Sequence, residues 1–159
     1  MQTPHTSTTL VDHVVPTKLR LAAAWTAFMF LYAYVDILNF FTPGVVEDIL
    51  AGKVFEFGLS QTFSITALTL VAIPILMIPL STTLPARSNR IANLVVAGLY
   101  TPVTAFNVIG ESWRYFYGLG VVLELILLAL IVRYAWSWPR TPRRMGDHDA
   151  VSALAQQDS

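Results

Sequence analysis

FLYAYVDILNFFTPG, residues 30–44, is a run of aromatic and aliphatic side chains that ends in a Thr-Pro-Gly break and holds one acid, Asp36, with Asn39 three residues later. Followed back to Leu21, it completes an apolar block of about 20 residues. That is the length a helix needs, at about 1.5 Å per residue, to cross about 30 Å of hydrocarbon. That first block covers about residues 21–41, and three further blocks follow, from about 59 to 80, 91 to 109 and 115 to 136, each bounded by charge, Gly or Pro. The composition agrees: the 159 residues are 55% hydrophobic and 13% charged, against about 25% charged in an ordinary soluble domain.

The fold class expected is therefore all-α: an integral membrane four-helix bundle of residues 18–139, with a polar N-terminal tail (1–17) and a disordered cytoplasmic tail (140–159). A cleavable signal peptide is the competing reading of the first block. That block is too long for such a segment and ends in bulky aromatics rather than small residues. Basic residues orient the spans. Lys18, Arg20, Arg87, Arg90, Arg133, Arg140, Arg143 and Arg144 fall on one side, and only Lys53 and Arg114 on the other. Both termini are accordingly expected in the cytoplasm, and the protein in a plasma (inner) membrane. The one long outer connection, residues 42–58, carries Val45, Val46, Ile49, Leu50 and Val54 near helical spacing. A short amphipathic helix capping the mouth of the bundle is expected there.

Tyr32, Asp36 and Asn39 stand at i, i+4 and i+7, so they share one helical face, which Trp25 and Met29 extend inward. Asp36 would lie roughly 8 Å below the outer end of its helix. In the third span Asn93, Tyr100, Thr104 and Asn107 fall on one line of the wheel, with Ala97 leaving room for a neighbour. In the fourth, Glu124 lies about 14 Å deep, near the midplane, with Tyr117 two turns before it and Gly118 and Gly120 thinning the helix. A charge at that depth costs at least about 2.5 kcal/mol, so Glu124 is expected to be neutralised or hydrogen-bonded. The second span carries Gln61, Ser64, Thr66 and Thr69, then Pro74 and Pro79, each of which frees a backbone carbonyl. Tyr32, Asp36, Asn39, Tyr100, Asn107, Tyr117 and Glu124 are the candidate substrate or proton site. The plain alternative is that asparagines and threonines in spans tie helices together, at about 0.6–2 kcal/mol each. An interfacial anchor is expected from Arg87, Arg90, Tyr134, Trp136, Trp138 and Arg140, because aromatic rings favour the headgroup level and arginines favour anionic lipid.

No cysteine is present and the three histidines lie outside the spans. Thiolate, iron–sulfur and intramembrane haem or zinc chemistry therefore have no ligands there, and no cofactor or metal is expected. A net charge of zero gives nucleic acid no handle. The expected partners are the lipid bilayer and either a second copy or another membrane protein.

YAYVDILNFFTP, LSTTLPARSNRIANLVVAG and ELILLALIVRYAWSWP together resemble an uncharacterised bacterial family of small four-pass membrane proteins, a domain-of-unknown-function family. The matching residues are Tyr34, Asp36 and Leu38 in the first span. Arg87, Asn89, Arg90, Ala92 and Asn93 match around the start of the third, and Glu124, Tyr134, Ala135, Trp136 and Trp138 in the fourth. Val35 and Ile37 depart from the pattern. The resemblance covers about residues 18–139, implies the four-pass topology and implies no catalysis. The function expected is a small-solute or proton-linked, transporter-like bundle with an outer polar vestibule; the alternative is a non-enzymatic accessory or structural subunit. A membrane-embedded enzyme using Asp36 and Glu124 as base and acid is the less favoured reading, since the spans hold no histidine, cysteine, metal cluster or serine-based nucleophile arrangement.

Overall fold

The computed structural model describes residues 13–54, 57–106 and 113–139. Four long helices, α1 (Thr17–Asn39), α3 (Gln61–Thr83), α4 (Ala86–Phe106) and α5 (Arg114–Trp136), pack side by side, and a six-residue helix, α2 (Val45–Leu50), joins the first two. Contact along the helices puts α1 between α3 and α5, and α5 between α1 and α4, while α3 and α4 meet sparsely. The end where α1 hands over to α2 is called the upper end below, and the end of Pro16 and the α3–α4 turn the lower end.

Local chemistry sets the boundaries. The Pro16 carbonyl accepts from the Leu19 and Arg20 amides and opens α1. At the top, Gly44 takes a left-handed conformation (φ 91°) and starts α2, a geometry that costs glycine little because it has no Cβ. Ser60 caps α3 by accepting from the Phe63 amide at 3.1 Å, filling one of the orphan donors of the first turn. At the bottom, Leu84 is held extended before Pro85, as the residue preceding proline must be, and the Asn89 amide closes onto the Pro85 carbonyl at 2.8 Å.

Two sequence expectations change in the upper connection. The amphipathic helix stops at Leu50 and does not extend to Val54, because the chain reverses at Gly52 (φ 79°). Lys53–Val54 (β1) and Phe57–Gly58 (β2) then pair antiparallel, Lys53 opposite Gly58 and Val54 opposite Phe57. The chain is thus not purely helical. The third difference concerns α4. By length and apolarity α1, α3 and α5 suffice to cross a membrane, whereas α4 does not join them, since it carries Arg87, Asn89, Arg90, Asn93, Thr101 and Thr104.

Large apolar side chains cover the outside. Only 11% of the most apolar stretch of α3 is buried by the rest of the chain, and Phe30, Leu68, Leu76, Leu99, Leu119 and Ile126 are all more than half exposed. This much exposed apolar surface, with three helices long and apolar enough to span a membrane, is consistent with a membrane location.

The dry core occupies the lower half. Leu21, Trp25 and Phe28 of α1 pack with Met77 of α3, Ala97 of α4 and Leu128, Ile131 and Ala135 of α5. Trp25 meets Phe28 edge-on at 5.7 Å and Phe28 meets Tyr100 of α4 edge-on at 6.1 Å, the arrangement that ring quadrupoles favour. Inside this core lies a polar knot. Trp25 Nε1 donates to Asn93 Oδ1 at 2.7 Å, and Ser81 Oγ donates to the same oxygen at 3.4 Å. Asn93 Nδ2 donates to the Asn89 side-chain and backbone oxygens at 2.6 and 2.9 Å. Asn89 Nδ2 donates in turn to the Ser81 carbonyl. Trp25, Ser81, Asn89 and Asn93 are all fully buried.

Higher up, α1 and α5 approach closely: a Cβ built on Gly120 would stand 3.1 Å from Cγ2 of Val35. Two outcomes are expected. Asn93→Leu should cost about 1–3 kcal/mol, by stranding the Trp25 Nε1 donor and the Asn89 Oδ1 acceptor without partners, and a reversible unfolding titration in mild detergent measures it. Gly120→Val should cost about 1–3 kcal/mol by overpacking, and adding Val35→Ala should recover part of that loss in the same titration.

Candidate functional site

Four of the seven candidate residues line one cleft of about 360 Å³ at the upper end. Tyr32, Asp36 and Asn39 come from successive turns of α1 and Tyr117 comes from α5. Their shared face follows from the i, i+4, i+7 spacing. Asp36 lines this cleft and keeps part of its side chain exposed there, although protein atoms surround it on several sides. The Tyr117 hydroxyl donates to Asn39 Oδ1, tying α5 to α1 and fixing the amide beside the acid.

The rest of the cleft was not anticipated residue by residue. Leu70, Val71 and Ala67 of α3 form one wall, and Val45, Asp48 and Ile49 of α2 with Lys53 of β1 close over the top. The signal for this roof was the periodicity of residues 45–50. The hairpin that swings Lys53 into place had none, since two paired residues per strand leave no alternation to read.

Glu124 is placed differently from Asp36. It lies 2% exposed on α5, with α1 and α4 the helices packed against it. Thr104 of α4 is its side-chain neighbour and Asp36 of α1 is near enough for the two charges to interact. Yet neither Thr104 Oγ1 nor Glu124 Oε2 completes a hydrogen bond. Such unmet buried groups cost about 1–3 kcal/mol each and are uncommon in a finished core. Among the described residues, the buried side-chain atoms without a partner are thus these two in the upper half, whereas the members of the lower knot are paired.

Tyr100 sits one step down, where α1, α3 and α4 leave a crevice of about 10 Å³, lined also by Tyr32, Leu70 and Pro74. Its hydroxyl donates to the carbonyl of Leu70. The reason is in the sequence: the Leu70 carbonyl would accept from the amide at position 74, and Pro74 has none. Proline removes the intrahelical bond and a tyrosine from a neighbouring helix replaces it. This bond is one of the few links between α3 and α4.

At the lower end, Arg90 lies over the Trp136 ring at 5.4 Å, a cation–π pair joining the start of α4 to the end of α5. Tyr134 and Trp138 are half-buried against the core and Arg87 is exposed. Lys18 Nζ donates to the Thr82 carbonyl at 3.2 Å, close to the negative end of α3. Asn107 and Arg140 lie outside the described residues. Among those described, no three His, Cys, Asp or Glu side chains stand together to hold a metal.

Missing from the candidates were Ser81 and Asn89, which complete the knot. The asparagine pair at i, i+4, preceded by a serine eight residues earlier, is the pattern that points to it. A double-mutant cycle tests the proline–tyrosine exchange. Tyr100→Phe should cost about 1–3 kcal/mol. In a Pro74→Ala background the restored amide takes the Leu70 carbonyl, so the same change should cost markedly less, and unfolding titrations of the four proteins measure the coupling.

No curated protein and no solved structure matches the chain. The family model described as "Family of unknown function (DUF6326)" matches residues 13–143. The resemblance carried by the Asp36, Asn89–Asn93 and Tyr134–Trp138 stretches thus resolves into membership: the chain belongs to the DUF6326 family.

Proposed function

We propose that this chain crosses the membrane four times and binds a small polar solute in the cleft beneath α2, in the manner of a transporter subunit and without catalysing a reaction. The observation that carries this reading is the gathering of Tyr32, Asp36, Asn39 and Tyr117 around one open volume of about 360 Å³, a size at the low end of small-molecule sites. An acid that only held helices together would be paired within the packing. Asp36 is exposed within a cleft.

The fourth crossing is α4, whose amphipathicity is inverted. Asn89, Asn93, Tyr100 and Thr104 are buried, while Ile91, Val95, Leu99 and Phe106 are more than half exposed. A helix with its polar side inward and its apolar side outward is suited to lipid surroundings. The distribution of Lys and Arg then supports cytoplasmic termini in a bacterial plasma membrane, with the cleft opening to the outside. An accessory role is the second reading. It draws on Trp136, which is exposed beside Arg90 at the lower end and could engage a partner protein.

The chain has no cysteine, so single cysteines report without background. With a membrane-impermeant thiol reagent added outside intact cells, Asp36→Cys and Asn39→Cys should label readily, and Thr104→Cys and Glu124→Cys at least about tenfold more slowly, as opening free energies of even 1.4 kcal/mol imply. Absence of labelling at 36 and 39 in a folded protein would remove the solute reading and favour the accessory one.

A further inference from the structure

The cleft contains more chemical information than its volume. Two carboxylates, Asp36 on α1 and Asp48 on α2, face one ammonium, Lys53 on β1. The remaining walls are the rings of Tyr32, Phe40 and Tyr117 and the aliphatic side chains of α2 and α3. Among the described residues no hydrogen bond or ion pair occupies the Asp36 carboxylate. Beneath it, Glu124 is a second acid, buried and with its Oε2 unpartnered. The carboxyl and ammonium groups lining the cleft itself are therefore two acids and one base, with Asp36 on the α1 wall.

Resting on the solute reading above, we infer that the occupant of this cleft is a small organic ammonium ion, its charged head at Asp36 and its apolar body against Tyr32, Phe40 and the α3 wall. The other ligand classes fit less well. An anion would meet two carboxylates for one ammonium. A neutral solute would leave Asp36 without a counter-charge. A hydrated inorganic cation would gain nothing from the ring and aliphatic walls, and a dehydrated one needs about six oxygen ligands. An organic ammonium uses both features, since it bonds the carboxylate with charge assistance and is attracted to ring faces. Asn39, held by the Tyr117 hydroxyl, is positioned to bond a donor or acceptor on the ligand body. Asp48 and Lys53 sit on the roof, where they bias entry and discriminate against wholly anionic solutes.

Three probes of one shape separate these classes: butylammonium, butan-1-ol and butyrate, each added to the full-length protein in lipid nanodiscs and followed by saturation-transfer NMR against empty nanodiscs. Butylammonium should bind at least about tenfold more tightly than the alcohol, the difference expected for a charge-assisted hydrogen bond, and butyrate should bind most weakly. Asp36→Asn should abolish the preference for the amine over the alcohol, while Asp36→Glu, which keeps the charge, should retain it. Equal or tighter binding of butan-1-ol or butyrate overturns the inference, as does an unchanged amine preference in Asp36→Asn. If none of the three binds although Asp36→Cys labels from outside, the ammonium inference falls and the wet cleft stands. If that cysteine fails to label, it is the solute reading itself that has failed.

Discussion

The Asn93 side chain accepts from Trp25 on α1 and Ser81 on α3 while donating to Asn89 on its own helix, so one amide joins three of the four long helices. In a medium without water, each of these groups would otherwise lie unpaired, at several kcal/mol apiece. The constraint acts on placement as much as on stability. An asparagine that must find Trp25 and Ser81 fixes the rotation of α4 and its height relative to both neighbours. Apolar packing alone leaves such choices loose where lipid is as apolar as the side chains.

From that anchored lower end the rest of the molecule follows. With the rotation of α4 set, Tyr100 comes within reach of the carbonyl that Pro74 frees on α3, and Thr104, one turn higher, is presented to Glu124 of α5. With α1 held at Trp25, the next turns carry Tyr32, Asp36 and Asn39 up one face into the cleft. Arg90 over Trp136 and Lys18 on the last turn of α3 close the bottom from outside.

The two halves differ in how completely their polar groups are satisfied. Below, every member of the knot has a partner. Above, Thr104 Oγ1 and Glu124 Oε2 are buried neighbours that lack a well-formed hydrogen bond, Asp36 stands exposed, and the roof of the cleft is a six-residue helix with no buried residue. A short, thinly packed roof opens at low free-energy cost compared with a core helix. Buried packing is thus concentrated in the lower half, and the thinnest cover lies over the cleft.

Much of this was legible in the residues. Block length identified the three helices apolar and long enough to cross a membrane, α1, α3 and α5, because crossing hydrocarbon imposes a fixed length. The 3.6-residue period put Tyr32, Asp36 and Asn39 on one face, because a helix repeats its direction every few residues. Prolines at 74 and 79 announced freed carbonyls, because the missing amide is a property of the residue itself. Tertiary structure decided everything that depends on two elements meeting. It determined which side chain takes the Leu70 carbonyl, and that Asn93 pairs with Trp25. It separated Asp36, exposed in a cleft, from Glu124, buried beside Thr104. It also brought Lys53 over that cleft by a reversal at Gly52. A one-dimensional pattern records the period of a helix but not its rotation against its neighbours, and it is that rotation, set here by buried hydrogen bonds, that places each polar group.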